Sequence, residues 1–139
     1  MQINFFFEDS FLKIPARRKL KAVLKEMFRL EKTAGNSLTY IFCSDAYLLE
    51  INQHFLNHDD YTDIITFCLS EPAAPVEGEI YISAERVIEN AKSYQVKLDA
   101  EIYRVIFHGA LHLCGYKDKS AISKKRMTAA EERYLTMMK

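Results

Sequence analysis

The sequence has no tryptophan, few glycines and prolines, and no long hydrophobic run. Nearly half of its residues are hydrophobic, which together with the low glycine and proline content argues against intrinsic disorder. No apolar stretch approaches the roughly 20 residues that a membrane helix needs. The N-terminal stretch MQINFFFEDSF also lacks the positive region and apolar core of a secretory signal. We therefore expect a soluble cytoplasmic protein that does not cross a membrane.

Cysteine is scarce and gives no sign of a disulfide framework. Cys43, Cys68 and Cys114 are odd in number, far apart and placed in apolar segments, and no CxxC pair occurs. This pattern predicts reduced thiols in the core.

The net charge is zero, but the two signs are distributed unevenly. Residues 1–44 carry eight basic and four acidic side chains, and residues 102–139 carry eight basic and three acidic ones. Residues 45–101 between them carry three basic and twelve acidic side chains. Basic ends can neutralise phosphates, although a solvated helix face is the commoner explanation. The sequence alone does not decide between the two for the basic helix 16–32.

Hydrophobic periodicity predicts four strands, at 2–7, 38–43, 63–69 and 77–83, and five helices, at 16–32, 45–57, 84–94, 99–114 and 121–137. The triplet Ala34-Gly35-Asn36 is expected to break the chain between elements. The apolar run 63–69 is typical of a strand covered on both faces. At this length, the pattern predicts one α+β domain over 1–139, with a small mixed four-stranded sheet packed with about five helices.

The segment 108–118, HGALHLCGYKD, contains the strongest chemical signal. His108 and His112 are four residues apart, so on a helix both rings lie on one face and can reach one ion. Gly115 suits the left-handed residue that ends many helices, and the turn behind it would bring Asp118 back to the same ion. Imidazole nitrogens and a carboxylate oxygen are zinc ligands, and three protein ligands are typical of catalytic zinc.

Residues 101–114 are apolar almost all round, so a single histidine there would be read as a core residue. Two histidines at helical spacing, followed by a helix stop and a carboxylate, favour a metal site. The expected cofactor is one divalent ion, with zinc favoured, and no organic cofactor is expected.

Three segments resemble the YbeY family of bacterial endoribonucleases. The family signature His-Gly-x-Leu-His-Leu-x-Gly-Tyr-Asp-His is similar to 108–118, a Pro-Thr-Asp-Val-Leu-Ser-Phe segment to 61–67, and a Gly-Asp-Ile-x-Ile-Ser strand to 78–83. The resemblance implies a metal helix like that of zinc proteases. It also implies metal-dependent cleavage of single-stranded ribosomal RNA, in 3′-end maturation of the small-subunit RNA and in ribosome quality control, with the small ribosomal subunit as partner.

The chain departs from the family pattern at two places. The family's third histidine ligand is replaced by Asp118, which would keep metal binding but could shift the preference toward manganese or similar ions. The family also carries an arginine in a longer loop after Leu56-Asn57, and this chain passes through His58 straight to the next motif. The replacement for that arginine is not apparent, and His58, Lys117 or the basic C-terminal segment are the options.

The catalytic groups are left open by the sequence. Water on the ion is the expected nucleophile, and Asp63, Glu79, His58 and Lys117 are candidates for the remaining roles. Zinc proteases of the HExxH type place a glutamate after the first histidine, where this chain has Gly109.

Three functions follow from these patterns. The first is a metal-dependent endoribonuclease; the alternatives are a non-catalytic ribosome-assembly factor with a structural metal, and a metal hydrolase of another substrate such as a peptide. Gly109 makes peptide hydrolysis the least favoured.

Overall fold

The computed structural model describes residues 1–56 and 62–139. In these ranges the chain forms four strands and five helices, in the order β1 (Gln2–Phe7), α1 (Arg17–Leu30), β2 (Gly35–Cys43), α2 (Asp45–Leu56), β3 (Ile64–Cys68), β4 (Val76–Ser83), α3 (Ala84–Ser93), α4 (Leu98–Leu113) and α5 (Ala121–Met137). The predicted α+β class, the number of strands and the number of helices are confirmed.

The four strands form one mixed sheet in the order β1-β2-β4-β3. β1 and β4 both pair with β2 in parallel, and β3 pairs with β4 in the antiparallel direction. Side chains alternate between the two faces of a strand. Ile80 and Ile82 of β4 therefore face the main core, which α1, α3, α4 and α5 cover, while Tyr81 packs into a smaller cluster with α2 on the opposite face.

One prediction about a strand boundary was wrong. β2 begins at Gly35 rather than at residue 38, because the expected break is a register shift between Gly35 and Ser37 through which pairing with β4 continues. The prediction of a strand covered on both faces holds for the first half of β3, although β3 is the edge strand of the sheet: Ile64 packs against α4, and Ile65 packs with α2 on the other face. Only Ile65 of this strand is fully buried.

The prediction of three core thiols holds only in part. All three cysteines are free, and Cys43 is buried, which raises the pKa of its thiol to about 12. Cys114 is half-buried. Cys68 is exposed because it ends the edge strand β3, where no further strand covers it.

Several helix starts are set by short polar side chains. The Ser44 hydroxyl accepts a hydrogen bond from the backbone N–H of Tyr47 at the start of α2, and Ser83 does the same for Arg86 at the start of α3. Ser120 and Ser123 form a capping box at the start of α5. α4 begins at Leu98, one residue before the predicted start at residue 99, and Lys97 at its N-cap position makes no side-chain cap hydrogen bond.

In the ranges that the structure covers, no helix combines the length and apolar content needed to cross a membrane.

Candidate metal centre

Both histidines of the 108–118 segment project from the last two turns of α4. Their Nε2 atoms lie 3.1 Å apart, and the two rings are nearly perpendicular, with centroids 4.7 Å apart. The helix is held in this position by close packing on the sheet. A Cβ added at Gly109 would lie 3.0 Å from Ile80 and 3.1 Å from Ile64. The glycine between the two histidines is therefore the point at which α4 meets β3 and β4.

The end of α4 is a Schellman motif centred on Gly115. Gly115 has a φ of 103° and donates its N–H to the His112 carbonyl at 3.0 Å, and Tyr116 donates to the Leu111 carbonyl at 3.0 Å. The predicted helix stop is confirmed. The turn reverses the chain and places Asp118 Oδ2 3.4 Å from Nε2 of both His108 and His112.

The inner nitrogen of each ring is engaged by a hydrogen-bond acceptor. His112 Nδ1 lies 2.9 Å from the carbonyl oxygen of Tyr116, and His108 Nδ1 lies 2.6 Å from Oε2 of Glu131. Because a carbonyl and a carboxylate can only accept, each Nδ1 carries the proton and donates it. Both Nε2 atoms then present a lone pair toward Asp118.

Three acceptor atoms consequently face one point, an arrangement that is unfavourable unless a cation sits there. His108, His112 and Asp118 are the described residues whose ligand atoms come close enough together to hold one ion. The triangle of two Nε2 atoms and Oδ2 has sides of 3.1, 3.4 and 3.4 Å. A tetrahedral ion with bonds of about 2.0 to 2.1 Å has ligand edges of about 3.3 Å, so the donor set fits such an ion.

A chain of buried charges continues behind the site. Arg104 lies 3.5 Å from the second carboxylate oxygen of Glu131 and makes two hydrogen bonds to Glu101. Those bonds to Glu101 raise the pKa of Arg104 above its ordinary value. Glu101 and Glu131 are among the few buried polar residues, at 2% and 6% exposure. The formal charge of Asp118, Glu131, Glu101 and Arg104 together is two negative charges, which one divalent ion would balance.

The three candidate ligands open onto a cavity of about 450 Å³. Its far wall is formed by β3 and the residues before it, and Asp63, Thr66 and Cys68 line it together with the ligands. Asp63 is fixed from behind, since its Oδ2 accepts a 3.4 Å hydrogen bond from Asn90 and its carbonyl accepts one from Ser83 N–H.

The other candidates for a catalytic role lie elsewhere. Glu79 is on the sheet face opposite α4, where it accepts a hydrogen bond from the Tyr81 hydroxyl. Lys117 is exposed and lines a different cavity, beside Glu31 and Arg126. His58 lies outside the described residues. Of the candidates that can be placed, only Asp63 shares the cavity of the histidines.

Glu131 was missed by the sequence reasoning. It lies on the apolar stripe of α5, between the buried Met127, Ala130 and Tyr134. A glutamate at a stripe position of an amphipathic helix is unusual because a charge is costly to bury without a partner. That signal was present in the sequence, but it did not indicate which partner the carboxylate meets.

Comparison with known proteins identifies the family of this chain. Residues 4–139 match the family model described as endoribonuclease YbeY. The chain is 44% identical over 137 residues to the endoribonuclease YbeY of Cytophaga hutchinsonii, covering 99% of this chain and 96% of that protein. It is 43% identical to the Porphyromonas gingivalis protein of the same name, covering 99% and 91%. The solution structure of TM1509 from Thermotoga maritima superposes with a TM-score of 0.66 at 29% identity, over 97% of this chain and 87% of that one. The chain belongs to the YbeY endoribonuclease family.

Proposed function

We propose that this protein is a metal-dependent endoribonuclease that cleaves single-stranded RNA during ribosomal RNA processing, with His108, His112 and Asp118 as ligands of one divalent ion. The observation that carries the proposal is the convergence of two Nε2 lone pairs and a carboxylate oxygen within 3.1 to 3.4 Å of one another, beside an open cavity. The size of the triangle favours zinc. The relatives named endoribonuclease YbeY support RNA as the substrate.

In the hydrolysis of a phosphodiester, different groups of the protein would bind the ion, accept a proton and attract the RNA. A divalent ion supplies Lewis-acid stabilisation of the charge that develops on a phosphoryl oxygen. We propose that Asp63, across the cavity, accepts the proton of the attacking water. Exposed lysines and arginines between Lys117 and Arg126 lie just beyond Asp118 and would attract the RNA backbone.

The biological substrate that we propose is a precursor of the small-subunit ribosomal RNA, cut near its 3′ end, with further roles in ribosome quality control. The partner would be the small ribosomal subunit, and the reaction would take place in the cytoplasm. Support comes from the family membership and from the exposed basic residues at both ends of the chain.

The test is cleavage by the purified protein loaded with zinc or with manganese. We expect a single-stranded RNA to be cut internally and a fully paired duplex of the same sequence to resist cleavage. Cleavage of both RNAs at equal rates, or of neither with either metal, would refute the proposal.

The first prediction concerns Asp118 as a ligand. Asp118→Ala should lower the affinity for zinc by more than about 10-fold, because the loss even of an outer-shell partner of a metal ligand costs about 10- to 100-fold. Asp118→His should keep tight binding, since it restores a third imidazole. Titration against a chromogenic chelator would measure both. Asp99→Ala, an exposed aspartate on the first turn of α4, is the matched control. Equal affinity in the Asp118→Ala variant and the wild type would remove Asp118 from the ligand set.

The second prediction separates a carboxylate that lines the cavity, Asp63, from one that does not, Glu79. Asp63→Asn should lower the rate of RNA cleavage at least about 100-fold while leaving zinc content unchanged, since a positioned general base contributes about 10²- to 10⁴-fold. Glu79→Gln should leave the rate within about twofold, because Glu79 faces away from the cavity and bonds only to Tyr81 among the contacts described. A larger loss in the Glu79 variant than in the Asp63 variant would contradict the assignment.

A ribosome-assembly role without turnover is the main alternative. A closed shell of four protein ligands would favour it. In residues 1–56 and 62–139, only three side chains supply ligand atoms, and they border the cavity. This opening favours access of a substrate to the ion.

A further inference from the structure

We propose that Glu131 is a positioning residue of the metal centre: it holds the His108 ring in the orientation and tautomer that leave Nε2 free for the ion. The inference deepens the proposed function and rests on it only in requiring that the 108–118 site binds a metal. None of the three segments that carry the family resemblance includes this residue.

The contact itself is short, and its direction follows from the chemistry of the carboxylate. Oε2 of Glu131 lies 2.6 Å from Nδ1 of His108, the nitrogen that points away from Asp118 and His112. A carboxylate accepts hydrogen bonds and cannot donate one, so it selects the ring form with the proton on Nδ1. A carboxylate behind a metal-binding imidazole also makes the imidazole a stronger ligand.

Glu131 is itself held in place. It is 6% exposed, and its other oxygen lies 3.5 Å from the Arg104 guanidinium, which Glu101 fixes in turn from the preceding turn of α4. The carboxylate therefore has one oxygen for a cation and one for the imidazole. Because the two oxygens are fixed relative to each other, the pair with Arg104 also orients the bond to His108.

The two histidines differ in how they are oriented. His112 donates to the backbone carbonyl of Tyr116, four residues later in the turn that ends α4. His108 donates instead to the side chain of Glu131, 23 residues later on another helix. α5 supplies none of the three candidate ligands, yet through Glu131 it sets the orientation of one of them. Docking of α5 against α4 is thus coupled to the geometry of the metal centre.

The experiment uses the full chain and the Glu131→Gln variant, which keeps the size of the side chain and removes its charge. We expect zinc affinity, measured by chelator competition, to fall about 10- to 100-fold. Nitrogen-15 NMR of the histidine rings gives a second readout. In the zinc-free wild type, His108 should carry its proton on Nδ1, with the bare Nε2 resonating far downfield, whereas the variant should show a mixture of both tautomers.

Glu132→Gln is the matched control. It makes the same change at the next position of α5, where the glutamate is exposed and has no described contact with His108, so its zinc affinity should stay within about threefold of the wild type and its His108 tautomer should not change. An equal loss of affinity in both variants would overturn the proposal in favour of a general effect of charge on α5. Wild-type affinity in Glu131→Gln would overturn it as well.

The wild-type spectrum alone provides a test that does not depend on folding of any variant. A His108 ring with its proton on Nε2 in the zinc-free wild type would refute the proposal. Failure of the proposed function gives a different result: a protein that binds zinc and responds to Glu131→Gln, but does not cut RNA, would refute the nuclease and leave the positioning role intact. A wild-type protein that cuts RNA while Glu131→Gln retains full zinc affinity would do the reverse.

Discussion

Replacing His112 with alanine should reduce metal-dependent RNA cleavage by about 1,000-fold or more. Only two donor atoms would remain, so zinc affinity should fall by more than about 100-fold, beyond the cost of losing an outer-shell partner. Lewis-acid stabilisation is worth several kcal/mol, and each 1.4 kcal/mol corresponds to about a tenfold change in rate. Cleavage of a labelled single-stranded RNA at a fixed zinc concentration, with zinc content determined on the same samples, would measure both effects.

His54→Ala is the appropriate control, because His54 is an exposed histidine near the end of α2 and belongs to no ligand cluster in the described residues. It should cleave RNA at the wild-type rate. Unchanged cleavage in His112→Ala would point to a contaminating nuclease, and wild-type zinc content in that variant would exclude His112 as a ligand.

Introducing a glutamate at Gly109 should destabilise the fold and should not create a peptidase. The position lies against Ile80 and Ile64, where even a Cβ would be in tight contact. A carboxylate placed there would be buried without a partner, so we expect the free energy of unfolding to fall by about 3 to 5 kcal/mol. Urea denaturation followed by circular dichroism would measure the change.

Two further variants calibrate that result. Gly109→Ala adds only the Cβ, and the gain in helix propensity of about 1 kcal/mol offsets part of the crowding, so its cost should be much smaller. Ala129→Glu introduces the same charge at an exposed position of α5 and should change stability by no more than about 0.5 kcal/mol. If Gly109→Glu were as stable as the wild type and hydrolysed peptides, α4 would have to present residue 109 to the ion rather than to the sheet.

Features that depend on neighbouring residues were predictable from the sequence. The spacing of His108 and His112 places two imidazoles on one helix face, and Gly115 ends the helix in the left-handed conformation found in the structure. Both signals depend on backbone geometry within two helical turns. The serine caps of α2 and α3 are of the same kind.

Features that depend on distant pairing were not predictable. The apolar run of β3 is compatible with a central or an edge strand. Its position at the edge became clear only from the pairing, in which β4 is its one neighbour in the described sheet. Glu131 is visible in sequence as a charged residue on an apolar stripe, but its partner depends on the docking of α5 against α4. The placement of Asp63 in the cavity of the histidines, and of Glu79 on the face of β4 that points away from α4, likewise required the folded chain.

Because of the turn at Gly115, the contacts that orient the two histidines differ in how easily a mutation can remove them. The acceptor for His112 is the carbonyl of Tyr116, a group that every amino acid possesses, so any side chain at position 116 leaves that acceptor in place. Only a change that alters the path of the backbone, such as loss of the glycine at a φ of 103°, can remove it. The orientation of His112 thus depends on the path of the main chain and can survive extensive sequence drift. The orientation of His108 can be lost through a single substitution on α5.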